Sequence, residues 1–118
     1  MLVIDDDAVF RALAVQMLEG MGLRVVGEAD SIEAATAAAV KLRPRAALVD
    51  VALPDGSGIK LAAELAALPW EPRVVLTSND CSVVTEALVR SSGAVAFIAK
   101  PELPDVRLRA LLAGEQPE

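Results

Sequence analysis

The sequence contains no histidine and no tyrosine, and it has a single cysteine, Cys81. The absence of histidine excludes an imidazole general base, a Ser-His-Asp triad, a histidine metal ligand and a phosphohistidine donor on this chain. One cysteine cannot form an intramolecular disulfide, which fits a reducing compartment. Any chemistry must therefore rely on carboxylates, hydroxyls and lysines.

Long apolar runs are also missing, although apolar residues make up 54% of the chain. No run approaches the roughly 18 residues that span a bilayer, and nothing at the N-terminus resembles a signal peptide. We therefore expect a cytoplasmic protein that makes no membrane contact. The net charge is −6 and the 11 basic residues are scattered along the sequence. For this reason we expect no direct binding of nucleic acid by this chain.

Short apolar runs rich in β-branched residues alternate along the chain with stretches of helical spacing. These stretches predict five helices. The runs themselves predict five strands, at Leu2–Ile4, Arg24–Gly27, Ala46–Val51, Val74–Leu76 and Val95–Ile98.

The predicted helices have apolar faces and boundary signals. In the first helix, four apolar residues spaced four apart share one face: Val9, Leu13, Met17 and Met21. In the second helix, Asp30 is the predicted N-cap, since it stands three residues before a glutamate. The last three helices are predicted at Ser57–Ala67, Ser82–Ser92 and Pro104–Ala113.

The order of these elements predicts an α/β fold, a doubly wound five-stranded parallel sheet flanked by five helices. Ala46–Val51 is continuously apolar, as expected for a central strand that is covered by helices on both faces. A chain of 118 residues is the size of one domain, which we place at residues 1–113. Residues 114–118 are then a tail or a linker stub.

Side chains that can do chemistry follow the ends of the predicted strands. In a doubly wound sheet, the carboxyl ends of the strands form the functional crevice. We therefore expect these side chains to share one edge of the sheet. They are Asp5, Asp6 and Asp7 after the first strand, Asp50 at the third, Thr77 and Ser78 at the fourth, and Lys100 after the fifth.

Carboxylates that are brought together repel one another and destabilise the fold unless a cation joins them. The cation expected here is Mg²⁺, because it prefers oxygen ligands and is held by one or two carboxylates together with phosphate oxygens. An acidic pocket that also contains a lysine and a hydroxyl suits phosphoryl transfer, in which catalysis is mostly positioning and neutralisation of charge.

Four segments in this order resemble the receiver domains of two-component response regulators, and together they cover nearly the whole chain. The resemblance implies the flavodoxin-like receiver fold. The segments are Leu2–Asp6, Leu48–Gly58, Val74–Ser78 and Phe97–Pro101.

The resemblance implies that Asp50 is the phosphoacceptor. It also implies that Mg²⁺ is bound by Asp5, Asp6 and Asp50 together with the backbone carbonyl of Ala52. Asp7 is different, because it favours the N-terminus of the first helix through capping and the helix dipole. The family catalyses its own magnesium-dependent phosphorylation and dephosphorylation, so this chain is expected to be a signalling domain rather than an enzyme with turnover.

The resemblance also implies that three residues respond to the phosphoryl group. Thr77 donates its hydroxyl to one phosphoryl oxygen and Lys100 pairs with another. Phe97 corresponds to the aromatic switch residue of the family, although plain core packing explains a phenylalanine there equally well. The surface expected to change is that of the fourth helix, the fifth strand and the fifth helix.

The resemblance also implies the partners. The phosphodonor is a sensor histidine kinase or a phosphotransfer protein, and the recipient of the signal is a downstream protein or an output domain outside this sequence. A stand-alone receiver and an excised domain of a DNA-binding regulator both remain open, as does a homodimer.

Two rival functions have weaker support from the residues. Phosphohydrolases of the haloacid dehalogenase type also phosphorylate an aspartate, but they carry a second aspartate where this chain has Ala52. A pseudo-receiver that lacks phosphorylation usually loses an acid, the threonine or the lysine. This chain keeps all of them, at Asp50, Thr77 and Lys100.

Overall fold

The computed structural model describes residues 1–79, 85–103 and 107–113. The main sheet is parallel, with strand order β2-β1-β3-β4-β5. The order reverses beside β1, so the carboxyl ends of β1 and β3 form the topological switch point at which such sheets bind ligands. The predicted fold class is confirmed. The strands are β1 (Leu2–Ile4), β2 (Gly27–Ala29), β3 (Ala46–Asp50), β4 (Arg73–Ser78) and β5 (Ala96–Ala99).

Helices cover both faces of this sheet. A two-residue hairpin, Ala52–Leu53 with Gly56–Ser57, follows β3, and a 3₁₀ turn, Lys100–Glu102, follows β5. No helix within the described residues is long and apolar enough to cross a membrane. The helices are α1 (Ala8–Gly20), α2 (Ile32–Leu42), α3 (Gly58–Ala66), α4 (Glu86–Ser91) and α5 (Leu108–Ala113).

Several sequence predictions fall partly or wholly outside the described residues. These are Cys81, the predicted start of the fourth helix at Ser82, the predicted start of the fifth at Pro104, and the tail at 114–118. The described parts of α4 and α5 lie inside the predicted helices. The third predicted helix agrees with α3 to within one residue at each end, and its N-cap is Ser57.

The core has two halves, one on each face of the sheet. Under α2 and α3 it contains Ala35, Ala39, Leu61 and Leu65, which pack on alternate residues of the central strands. Under α1 and α5 a second cluster packs on the intervening strand residues. All five residues of β3 are buried, so the continuous apolar run was correctly interpreted as a central strand.

The second strand was predicted at Arg24–Gly27, but it forms at Gly27–Ala29. The Val26 amide already donates to the Met1 carbonyl, and strand pairing then begins with Leu2 opposite Gly27. β2 lies at the edge of the sheet, where one side faces solvent. It therefore does not need an apolar run and contains Glu28 instead.

The predicted apolar face of α1 is also partly wrong. Val9 and Leu13 are 72% and 58% exposed, whereas Ala14 and Leu18 are buried. A spacing of four fits two adjacent stripes of this helix, because apolar residues occupy both of them. The Asp7 N-cap fixes where the helix starts, but the sequence does not reveal which stripe faces the sheet.

The N-cap of α2 is Ser31 rather than the predicted Asp30. The Ser31 hydroxyl accepts a hydrogen bond from the Ala34 amide at 3.1 Å. Asp55, from the loop after β3, adds a second cap, because its carboxylate accepts from the Ile32 amide at 2.8 Å and from the Glu33 amide at 3.1 Å. These two hydrogen bonds lower the pKa of Asp55, and the bond from the Ile32 amide has the larger effect. The loop after β3 is therefore bound to the start of α2.

Gly58 controls the position of the end of β3. Its amide donates to the Val51 carbonyl at 2.7 Å, and a β-carbon at this residue would overlap the backbone carbonyl of Asp50. We predict that Gly58→Ala lowers the free energy of unfolding by about 1–3 kcal/mol, because the overlap forces the backbone to shift. Urea denaturation measures this change as a lower midpoint.

Gly20 is the matched control, because it lies in the last turn of α1 and a β-carbon there would meet nothing. Gly20→Ala should leave stability unchanged or raise it by up to about 1 kcal/mol. Equal midpoints for the two variants would show that the space behind Asp50 is not restricted.

Candidate functional site

The carboxyl ends of β1, β3 and β4 place the predicted site residues side by side. Ile4 lies opposite Val49, so that Asp5 and Asp50 follow on neighbouring strands. Asp50 lies directly opposite Thr77. Lys100 begins the 3₁₀ turn after β5, the next strand beyond β4. The expectation that these residues share one edge of the sheet is confirmed.

Asp5 is almost completely buried, with 1% of its surface exposed. Its Oδ1 accepts a hydrogen bond from the Asp7 amide at 2.8 Å. Its Oδ2 accepts no hydrogen bond of good geometry, although the Lys100 ammonium lies 2.7 Å away as an ion pair. One buried carboxylate oxygen is therefore available to a further cation.

Asp6 and Asp7 follow with different surroundings. Asp6 is exposed at the mouth of the crevice. Asp7 turns away from the crevice and caps α1, where its Oδ1 accepts from the Val9 amide at 3.0 Å and from the Phe10 amide at 3.2 Å. Asp7 is thus the helix carboxylate that the sequence predicts.

Lys100 joins the two buried acids of the crevice. Its Nζ lies 2.7 Å from Asp5 Oδ2 and 3.2 Å from Asp50 Oδ2. The same ammonium lies 4.2 Å from the centre of the Phe10 ring, a cation–π contact. Burial alone would lower the pKa of Lys100, but the pairing with Asp5 and the charge of Asp50 outweigh burial and raise it. Lys100 is therefore held as a cation.

Asp50 is buried at the end of β3. Its Oδ1 accepts a hydrogen bond from the Ala52 amide at 3.2 Å, and its Oδ2 accepts one from Lys100. Loss of hydration raises the pKa of Asp50, and the nearby charge of Asp5 raises it further, against the opposing effect of Lys100. The carboxylate is thus less stable here than in water.

Two further predicted residues stand beside this group. Thr77 is 1% exposed, and its hydroxyl donates to the Val49 carbonyl at 3.5 Å, the long limit for such a bond. Phe97 is half-buried on β5 and packs against the core on the α2–α3 side. Its packing is that of a core residue, and its role as a switch stays a prediction.

The crevice has the donor set of a hard cation. One carboxylate oxygen from each of Asp5, Asp6 and Asp50 lies within 4.8 Å of the others. All three donors are oxygens, and the buried Asp5 Oδ2 has unused capacity. Oxygen donors at this spacing fit Mg²⁺. The class of site is an acidic, lysine-bridged crevice at the switch point of a doubly wound sheet.

Phe10 and Arg11 were not predicted as site residues. Arg11 donates from its guanidinium to the Asp5 carbonyl at 2.7 Å and pairs with Glu28 at 3.0 Å, so it holds the end of β1 against β2. Phe10 covers Lys100 from α1. The sequence signal that could have found Phe10 is its position four residues before Ala14, because this places both residues on the stripe of α1 that is buried.

Comparison with known proteins identifies the family. A family model described as the response regulator receiver domain matches residues 1–112. The chain is 34% identical over 100 residues to the transcriptional regulatory protein PdtaR of Mycobacterium tuberculosis, with 85% of this chain and 48% of that protein covered. It is 35% identical over 120 residues to the DNA-binding response regulator MtrA of Mycobacterium leprae, with 99% and 52% covered.

A solved structure agrees with these matches. The response regulator receiver domain protein (CheY-like) from Methanospirillum hungatei superposes with a TM-score of 0.76 at 27% identity, covering 85% of this chain and 79% of that one. The chain belongs to the response regulator receiver domain family. It is a receiver domain of the two-component type, a signalling domain, as the sequence predicts. It spans about half the length of the curated relatives it matches.

The raised pKa of Asp50 predicts how stability depends on pH. The folded protein releases this proton less readily than the unfolded chain, so ionisation of Asp50 opposes folding as pH rises above the ordinary value of 3.8. In metal-free buffer at pH 7, Asp50→Asn should therefore be more stable than the wild type by about 1 kcal/mol, the usual size of a single-residue effect. Chemical denaturation at several pH values should show this gain vanish in acid.

Asp55→Asn is the control of opposite sign. The lowered pKa of Asp55 stabilises the fold above the unfolded value of 3.8, and this contribution is lost as pH falls through the lower folded value. This variant should be less stable than the wild type at pH 7 and should approach it in acid. The same sign for both variants would contradict the electrostatic description of the crevice.

Proposed function

We propose that Asp50 accepts a phosphoryl group from a sensor histidine kinase or a phosphotransfer protein. The observation that carries this proposal is the convergence of the Asp5, Asp6 and Asp50 carboxylate oxygens within 4.8 Å, with Lys100 in contact with two of them. Asp5, Asp6, Asp50 and the backbone carbonyl of Ala52 would hold Mg²⁺, which when bound neutralises charge on the phosphoryl oxygens.

Asp50 acts as the nucleophile. A carboxylate oxygen forms a bond to phosphorus, while the bond from phosphorus to the donor breaks and its electron pair leaves with the donor nitrogen or oxygen. The Ala52 amide and Lys100 already hold the two oxygens of the carboxylate at 3.2 Å each, so the group is oriented before the reaction. In dephosphorylation a water oxygen forms a bond to phosphorus while the bond from phosphorus to the Asp50 oxygen breaks. The electron pair of that bond returns to the Asp50 carboxylate, inorganic phosphate leaves and a proton passes to solvent.

Lys100 and Thr77 stabilise the charge that gathers on the phosphoryl oxygens. Lys100 is a buried cation already in contact with Asp50, so it needs little movement to reach a group attached there. Thr77 lies directly opposite Asp50, and its hydroxyl makes only one long hydrogen bond. That bond costs little to exchange for a charge-assisted bond to a phosphoryl oxygen.

The output is a shift between two conformations. Phosphorylation adds a doubly charged group that stabilises only the conformation in which Thr77 and Lys100 contact it. In the proposed switch, movement of Thr77 is followed by movement of Phe97, which lies on the neighbouring strand opposite Leu76. The surface of α4, β5 and α5 then changes and controls a downstream protein or an output domain.

The remaining features of the proposal concern the whole protein. The receiver domain extends over residues 1–113 and residues 114–118 are a tail or linker stub, which the family match through residue 112 supports. We place the protein in the cytoplasm, where its phosphodonor is accessible, with no direct contact to nucleic acid by this domain. The proposal also includes a homodimer of this domain. Membership of the receiver family argues against the phosphohydrolase alternative.

Phosphorylation of Asp50 is tested with a small phosphodonor and intact-mass spectrometry. The wild type should gain one phosphoryl group in the presence of Mg²⁺ and none in EDTA. Asp50→Asn should gain none under either condition, because it lacks the nucleophile. Asp55→Asn, five residues further along and facing α2, should be labelled like the wild type. Equal labelling of Asp50→Asn and the wild type would refute the assignment.

Binding of Mg²⁺ is tested by stability, without any phosphodonor. At ten times its dissociation constant, Mg²⁺ should stabilise the wild type by about 1.4 kcal/mol under simple linkage. Asp6→Asn should lose most of this gain because it removes a ligand. Asp7→Asn should keep the gain, since asparagine caps a helix as well as aspartate does. Thermal unfolding with and without Mg²⁺ measures the effect, and equal gains in both variants would exclude Asp6 as a ligand.

A further inference from the structure

Three arginines meet at the edge of the sheet opposite the acidic crevice. Arg43, Arg45 and Arg73 line a cavity of about 460 Å³ at the amino ends of β3 and β4. Their positions follow from strand pairing, because the Arg73 amide donates to the Arg45 carbonyl at 2.8 Å just before the two strands pair. The arginines come from two distant segments, and the fold makes them neighbours. A cavity of this size suits a small ligand.

An aromatic ring forms one wall of this cavity. Trp70 is half-buried, and its Nε1 donates to the Pro44 carbonyl at 2.9 Å, which fixes the plane of the ring. The Arg43 guanidinium lies over the ring at 5.3 Å from its centre. The ring is therefore anchored by a hydrogen bond, and the guanidinium of Arg43 lies against it.

The guanidinium groups of the cavity are positively charged, and their ion pairs can be judged within the part of the chain that the structure describes. Within the described residues, no carboxylate forms an ion pair with any of the three, although Glu71 also lines the cavity. The Arg73 side chain donates one hydrogen bond, to the Leu111 carbonyl. Arg45 is exposed, and its guanidinium forms no ion pair among the described residues. In a chain of net charge −6, this is a concentrated region of positive charge.

Two residues at the rim of the cavity have a left-handed backbone conformation. Arg43 and Glu71 have φ of 46° and 47° and are the non-glycine residues with positive φ in the described part of the chain. Both line the cavity. Arg43 is the C-cap of α2, so its left-handed conformation follows from the way this helix ends.

We propose that this arginine–tryptophan pocket binds a small ligand that carries a phosphate or diphosphate group. Guanidinium groups bind phosphate oxygens through paired, charge-assisted hydrogen bonds, and three of them here have unused donors. The acidic crevice lies at the other end of the strands. The inference therefore does not depend on phosphorylation of Asp50.

Trp70 is the only tryptophan of the chain, so its fluorescence reports directly on this pocket. The experiment titrates the protein with pyrophosphate and with inorganic phosphate in EDTA, at an ionic strength held constant with sodium chloride. We expect a saturable change in fluorescence. Saturation by both probes assigns the monophosphate as the recognised unit, and saturation by pyrophosphate alone assigns the diphosphate. Either result supports the proposal.

Matched variants locate the binding. Arg45→Gln should weaken the apparent affinity about tenfold, the effect of losing one charge-assisted hydrogen bond. Arg24→Gln removes an exposed arginine elsewhere and should change it less than about twofold. Asp50→Asn should bind like the wild type, which separates this site from the acidic crevice.

Four results would overturn the proposal. They are the absence of a saturable change, an equal response to chloride alone, an equal loss of affinity in Arg45→Gln and Arg24→Gln, and a loss of the signal in Asp50→Asn. Saturation by a short polyglutamate peptide, with no response to either phosphate probe, would also overturn it, because the pocket would then be a contact for acidic protein segments.

Discussion

The arrangement of this domain depends on one ammonium group between two buried carboxylates. Asp5 and Asp50 end up together because parallel strands end at the same edge of the sheet, and each would be strongly destabilised there alone. Lys100 lies within 3.2 Å of both and makes their proximity tolerable. Loss of Lys100 would be costly, because it would leave two buried carboxylates without a counter-charge. A cation or phosphoryl group placed beside these carboxylates would share them with Lys100.

The two edges of the sheet carry opposite charge. Acids and Lys100 gather where the strands end, and arginines gather where β3 and β4 begin. Both clusters have the same origin, because the parallel arrangement brings together residues at equivalent strand positions. The separation keeps the clusters from neutralising each other. A single domain thus carries an acidic cluster at one end of its strands and an arginine cluster at the other, while its overall charge remains negative.

The sequence predicted best what strand ends determine and worst what helix phase and distant contacts determine. The sheet, its order of elements and the meeting of Asp50 with Lys100 follow from parallel topology alone. The position of β2, the buried stripe of α1 and the cap of α2 did not, because neighbouring residues there fit the same pattern equally well. Contacts such as Asp55 with α2 join segments that are far apart in sequence, so no local spacing could reveal them.

The close contact between Gly58 and the backbone of Asp50 limits how the end of β3 can move. The start of α3 rests directly on the carbonyl of Asp50, with no gap into which the strand could retreat. We therefore expect the backbone of Asp50 to have little room to move toward α3 when a group is added to its side chain. The added group is then expected to displace the side chains that face the carboxylate from the ends of β4 and β5. In this way Gly58, a residue without a side chain, influences which groups move when Asp50 is modified.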